Sequence, residues 1–241
     1  MLSPDDKILT IDIGGSGLKA TMLDAKGALL MDYNRIETPV PANPQTVLAT
    51  IKELTKDMKG FTKASAGFPG LVRNGIVLTA PNLDNEAWKN IDFDKLLTES
   101  IGCPARVLND ADMQGLGVAV GKGFEMVITL GTGFGTAFLL DGKLLPHLEI
   151  AHHPIFKNMT YDEYIGQKAF KKYGKRKWNK RVQNIIAVLQ TVFIYDTLYI
   201  GGGNAKNITF TLPGNIKIVT NQEGIKGGAR LWDDGAAGIT Q

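Results

Sequence analysis

Only one cysteine, Cys103, stands among the 241 residues, so no intrachain disulfide can form and a reducing compartment fits. Histidine is almost as scarce: all three fall within His147–His153. No apolar run reaches membrane-spanning length, and the opening Met1-Leu-Ser-Pro-Asp-Asp-Lys7 lacks the core of a secretory signal. A cytoplasmic protein with no membrane partner is expected. Low-complexity stretches and linker-like tracts are also missing. At 44% apolar and 21% charged, the chain can bury one large core, or two small ones sharing a cleft.

What is abundant is glycine, 28 in all, clustered at Gly14-Gly15, Gly131–Gly135, Gly201–Gly203 and Gly227-Gly228. Runs placed directly after apolar segments imply backbone held close to a ligand rather than simple turns. Positive charge is concentrated too. Residues 171–181 carry seven Lys or Arg and no acid; taking those seven from the net +3 leaves the remainder at −4. Such a local patch points to a polyanionic partner. A DNA or RNA partner is not expected, because no recognition motif accompanies the patch.

Periodicity predicts strands at Ile8–Ile13, Leu18–Leu23 and Ala28–Tyr33, a helix over Pro44–Met58, strands at Ala64–Phe68 and Ala105–Leu108, and a helix over Ala111–Val120. The second half restarts the theme. Strands at Met126–Leu130 and Gly135–Leu140 flank a glycine turn, helices follow over Tyr161–Lys172 and Lys177–Phe193, and Leu198–Ile200 runs into three glycines. The class is α/β with mixed sheets.

Asp12-Ile-Gly-Gly-Ser-Gly-Leu-Lys19 lies between two strands, where backbone N–H groups of Gly14 and Gly15, the Ser16 hydroxyl and the Lys19 ammonium can surround a phosphate. Asp12, ending the first strand, can hold Mg²⁺ through water. The loop is neither a Walker loop nor a Rossmann fingerprint, since a strand rather than a helix follows. A plain hairpin accounts for it equally well. Gly131, Thr132 and Gly133 repeat the pattern about 115 residues later, and the pair resembles the two phosphate loops of the actin–hexokinase-like architecture, which would imply phosphate binding. Gly201, Gly202, Gly203 and Asn204 can let a flat group such as a purine pass, or merely make a tight turn. Asn109-Asp110 delivers a carboxylate to a strand end and helix start, where an N-cap is the ordinary role of aspartate.

Taken in order, Asp12-x-Gly-Gly-Ser-x-x-Lys19, Ala66-Gly-Phe-Pro-Gly70, Ala80-Pro-Asn-Leu83 with Trp88, Asn109-Asp110, Leu130-Gly-Thr-Gly-Phe-Gly135 and Gly201-Gly-Gly-Asn204 resemble the ROK family of sugar kinases across essentially the whole chain. Glu149-Ile-Ala-His152, Asp162-Glu-Tyr-Ile-Gly166 and Lys177-Trp-Asn-Lys-Arg181 resemble its polyphosphate glucokinases. The resemblance implies a two-lobed ribonuclease-H-like fold of the actin–hexokinase–Hsp70 kind. A smaller lobe over 1–108 would be completed by 225–241, and a larger lobe would span 109–224. It implies a glucokinase with Asp110 as catalytic carboxylate and Asn82, Asn109, Glu149, His152 and Glu163 around the sugar. Mg²⁺ would be required, ATP or polyphosphate would be the donor, and the chain would form a homodimer. Lys172, Arg176 and Lys180 would make a polyphosphate track, a stripe about 18 Å long with Lys168 if the helix ran unbroken through Gly174.

Two departures from the family pattern stand out. Ala151 replaces the glycine of the Glu-x-Gly-His motif, and the cysteine cluster of the zinc-binding members is missing, so no structural zinc is expected despite His152, His153 and Glu149. Family repressors need a DNA-binding module ahead of the kinase core, and a first strand beginning near residue 8 leaves it no room. An ATP-dependent kinase for another hexose, or a non-catalytic sugar or polyphosphate sensor, stands as the alternative.

Overall fold

The computed structural model describes residues 2–233. Its two principal sheets share one blueprint. In the first, the order is Asn34–Ile36, Leu18–Asp24, Lys7–Ile13, Lys63–Phe68, Ala105–Asn109. The first two pairings are antiparallel and the last two parallel. In the second, Lys143–Leu144, Phe134–Leu140, Phe124–Leu130, Thr197–Gly201 and Ile216–Ile218 repeat both the order and the directions. This doubled mixed sheet is the ribonuclease-H-like architecture that the sequence implied.

Each central strand is an apolar run with both faces covered, as Ile8, Leu9, Ile11 and Ile13 show in the first sheet and Met126, Val127 and Ile128 in the second. The helix Pro44–Thr55 begins at Asn43, whose side chain accepts the Thr46 N–H, and Pro44 suits the first turn because it has no N–H to satisfy. Its Val47, Ile51 and Leu54 fall on one face and enter a core with Phe68, Trp88 and Phe93. A second core gathers Trp178, Val182, Ile185 and Leu189 of the long helix Gln167–Phe193 under the second sheet.

A third cluster joins the halves. The helix Asp110–Val118 contributes Leu116, the second sheet Val127, Ala137 and Tyr199, and the returning segment Ile225, Ala229, Leu231 and Trp232. That segment is tied to the first sheet: Ser65 Oγ donates to the Gly228 carbonyl and accepts from Trp232 Nε1. Of the 225–241 stretch expected to complete the first lobe, 234–241 lie outside the described residues.

Three expected elements came out differently. Ala28–Tyr33 is not a strand; the third strand is Asn34–Ile36, with only an isolated bridge from Leu23 to Leu29 before it. Leu29 and Leu30 are both exposed, so their alternation has no covered face to serve. The helices expected over Tyr161–Lys172 and Lys177–Phe193 are redrawn as Tyr161–Ile165 and Gln167–Phe193, and the latter is kinked at Gly174, whose φ of 72° is outside the helical range. The unbroken basic stripe does not form.

Candidate active site

The two central strands, with Lys63–Phe68, Ala105–Asn109 and Thr197–Gly201 of the four strands that run parallel to them, deliver their C-terminal ends to one cleft, the place where open α/β sheets bind ligands. The cavity there is about 390 Å³. On one side stand Asp12, Gly14, Gly15 and Ser16; on the other Gly131, Thr132 and Gly133; Asn82, Asn109, Asp110, Glu149, Ala151 and His152 complete the wall, with Gly202 beyond.

Both hairpins close in the same manner, Gly14 N–H donating to the Gly17 carbonyl at 3.1 Å and Gly131 N–H to the Gly133 carbonyl at 3.1 Å. Lys19 does not line the cavity. It lies opposite Asp12 in the antiparallel register, and its Nζ is 3.3 Å from Asp12 Oδ2.

Asn109 and Asp110 divide the start of one helix between them. Asn109 Oδ1 accepts the N–H groups of Ala111 and Asp112, while its Nδ2 donates to the Gly70 carbonyl. Asn109 is thus the N-cap, and Asp110 is left free to face the cavity. Asp110 is exposed at the cavity surface, its carboxyl set among the lining residues rather than sealed from water. Partial desolvation by those residues and the neighbouring Asp12 charge push Asp110 up to about 7, against the Ala111 N–H that favours the ionised form.

Glu149 belongs to a charge chain. Asp112 Oδ2 is 2.9 Å from His147 Nδ1, and His147 Nε2 is 3.5 Å from Glu149 Oε1. Burial disfavours the charged imidazole, yet the two carboxylates outweigh it and His147 rises to about 10. The same contact holds Glu149 below the usual carboxylate range. Ala151 is buried in a short 3₁₀ turn, and its methyl group meets the cavity wall rather than solvent.

Several nominated residues sit elsewhere. Glu163 is exposed and committed to a capping box: Thr160 N–H donates to its Oε2 at 3.0 Å, and its own N–H donates to Thr160 Oγ1. Asp162, one residue earlier, lines the cavity instead and accepts the Phe134 N–H through Oδ1. Gly201, Gly203 and Asn204 do not line it. Asn204 is buried as a strut beneath the second hairpin, donating from Nδ2 to Gln167 Oε1 and to the Gly131 carbonyl. Gln114 is a further wall residue, one turn after Asp110, its amide lying where a Cβ on Gly201 would fall.

Lys172, Arg176 and Lys180 are exposed and outside the cavity. Their helix nevertheless starts at it, for Gln167 N–H donates to the carbonyls of Gly131 and Thr132. Arg181 is buried, donating to the Tyr164 carbonyl and stacked on Tyr164 and Tyr173. Among the described residues, no group of three or more His, Cys, Asp or Glu side chains is placed to hold a metal ion. None of the described helices is long and apolar enough to cross a membrane.

The profile of the ROK family matches residues 8–151. A polyphosphate glucokinase of Mycobacterium leprae is 30% identical over 212 residues, a match spanning 84% of this chain and 65% of that protein. One of Mycobacterium tuberculosis is also 30% identical, covering 84% and 80%. Among solved structures, an inorganic polyphosphate/ATP-glucomannokinase from Arthrobacter sp. strain KM superposes with a TM-score of 0.84 at 32% identity, over 94% of this chain and 98% of that one. A ROK family glucokinase from Streptomyces griseus, in complex with glucose and AMPPNP, shares the fold with a TM-score of 0.78 at 18% identity, over 93% and 98%.

Proposed function

This chain belongs to the ROK family, and on that premise we propose that it transfers a phosphoryl group from polyphosphate or ATP to the 6-hydroxyl of glucose. The observation that carries the reading is the placement of Asp110 in the cavity wall between two glycine hairpins. A sugar hydroxyl is far too weak an acid to be ionised in advance by any carboxylate. Phosphoryl transfer asks less: as the sugar oxygen bonds to phosphorus and the bridging oxygen leaves, Asp110 aligns the hydroxyl and accepts its proton late. A base near pH 7 is ionised in a useful fraction and still holds that proton well.

Gly15, Ser16, Thr132 and Gly133 line the space where donor phosphates would lie, whereas the Gly14 and Gly131 N–H groups close their own turns. Glu149, His152 and Asn82 are among the polar wall groups available to sort sugar hydroxyls, with Asp162 and Gln114 beside them, Asn109 serving chiefly to orient Asp110. Asp12 offers hard carboxylate oxygen beside the first hairpin, a donor suited to hydrated Mg²⁺, which when bound would offset donor charge.

Polyphosphate is favoured as a donor by the long helix, which begins against Gly131 and Thr132 and carries exposed Lys168, Lys171, Lys172, Lys175, Arg176, Lys177 and Lys180 away from the cavity. Names of the relatives at 30% identity support polyphosphate and glucose together. The test is a coupled assay crossing several hexoses with both donors. Glucose 6-phosphate formation is expected; no turnover of any hexose with either donor would leave a binding protein in place of an enzyme.

A further inference from the structure

Behind Glu149 the cavity wall is backed by a second carboxylate. Asp112 is buried, and its Oδ1 has no hydrogen-bond partner among the described residues. Its Oδ2 meets His147 Nδ1 at 2.9 Å, and the opposite ring nitrogen faces Glu149 Oε1 at 3.5 Å. A neutral imidazole has one N–H and can donate in one direction only, so carboxylates on both nitrogens call for the doubly protonated ring. His147 itself is screened from solvent, its side chain being 7% exposed, whereas Glu149 is 33% exposed and lines the cavity.

We propose that His147 is a positioning residue for the hexose: a fixed imidazolium, anchored on buried Asp112, that holds the Glu149 carboxylate in the cavity wall as an acceptor for sugar hydroxyls. The inference rests on the sugar-site reading of Glu149. Free of this restraint, Glu149 would trade one fixed direction for several rotamers, and ordering it again on binding would weaken the complex. The strong upward displacement of His147 and the downward one of Glu149 agree with an ion pair between them, while burial raises Asp112 against the His147 contact that lowers it, so the pairing rests on the geometry. The anchor also ties sugar to base, because Asp112 and Asp110 share the first turn of one helix.

His147→Gln keeps a polar side chain but removes the cation. The expected result is a hexose KM raised roughly tenfold or more, a donor KM within about twofold and a kcat at saturating hexose within about threefold of wild type. The rise in melting temperature that hexose alone produces should be lost in parallel. Should this variant fail to fold with Asp112 left unpaired, the double variant Asp112→Asn with His147→Gln buries no charge and carries the same readouts. A hexose KM within about twofold of wild type, or hexose and donor KM rising together, overturns the proposal. Wild-type protein that shows neither a hexose-induced shift nor turnover overturns the sugar-site reading as well. A wild-type shift that His147→Gln retains overturns this inference alone.

Discussion

At Asn109 and Asp110 the two ordinary fates of a polar residue at a helix start are separated. Asn109 takes the capping work, so Asp110 is spared it, and a carboxylate that would otherwise be a structural cap becomes available for chemistry. Asp110→Asn preserves shape while removing the proton acceptor. Its kcat should fall by a factor on the order of 10²–10⁴, with hexose-induced thermal stabilisation kept, and retention of more than about a tenth of wild-type kcat would remove Asp110 from this role. The ionised form is the active one, and its folded value stands at about 7 against an ordinary 3.8. Log kcat/KM should therefore climb with a slope of roughly one up to that pH and level off above it. The same shift has a cost in stability. Protonation is favoured by the fold, so the penalty grows as pH rises from about 4 to about 7 and is full above it. At pH 8 Asp110→Asn should melt no lower than wild type; a melting point several degrees lower would mean that the carboxylate stabilises the fold. Leu108-Asn109-Asp110 alone reads as a strand end and an N-cap; the family resemblance singled out Asp110, and the division of labour between the two side chains is seen only in the structure. The place of Glu163 was missed, although Thr160-x-x-Glu163 carries the capping-box pattern that explains its absence from the cavity. Asp162 is found only once the Tyr161–Ile165 helix docks against the second hairpin, a tertiary fact that local spacing does not contain.

Among the elements, the paired glycine hairpins are the part that sequence predicted best, because a strand, a short glycine turn and a strand leave few alternatives. Their glycines are not equivalent. At Gly131 a Cβ would meet nothing within 4 Å and the φ is ordinary, so Gly131→Ala should fold with a melting temperature close to wild type. The added methyl group would occupy donor space, however, and the donor KM should rise while hexose KM stays put. At Gly202 the φ is +83° and a Cβ would fall 2.5 Å from the Leu130 carbonyl oxygen. Left-handed strain and backbone overlap together cost about 2 kcal/mol or more, so Gly202→Ala should lower the melting temperature by roughly 4–8 °C. Equal melting temperatures for the two variants, measured by differential scanning calorimetry, would contradict this division. The elements that sequence reading misplaced share a cause. Ala28–Tyr33 alternates without a covered face, and the Gly174 kink ends the first helical piece where basic spacing alone reads as continuous. The sheet edge Ile216–Ile218 is short and mostly exposed, so it carried too little apolar pattern to be seen at all.

For the molecule as a whole, charge is distributed by partner. Away from residues 171–181 the chain is net acidic, and six of the seven basic side chains in that stretch are exposed, Arg181 alone being drawn into the core. A chain of phosphates has about one negative charge per unit and no base to stack, so it needs extended positive surface; ATP needs a shaped pocket and few phosphate contacts. The Gly174 kink does not defeat such a track, because the long helix starts on the second hairpin and both pieces carry exposed cations outward from it. A flexible polyanion can follow a bend that a rigid ligand could not. Neutralising Lys172, Arg176 and Lys180 together, as glutamines, should leave the fold intact, since all three are exposed and none is paired with a carboxylate among the described residues. The KM for long-chain polyphosphate should rise many-fold in that variant and the KM for ATP hardly change. Salt should mimic the substitution in wild type, as the screening length contracts from ~10 Å at ~0.1 M to ~3 Å at ~1 M, and should have much less effect on the variant. Equal movement of both constants would reduce the patch to a solvated helix face and make ATP the working donor.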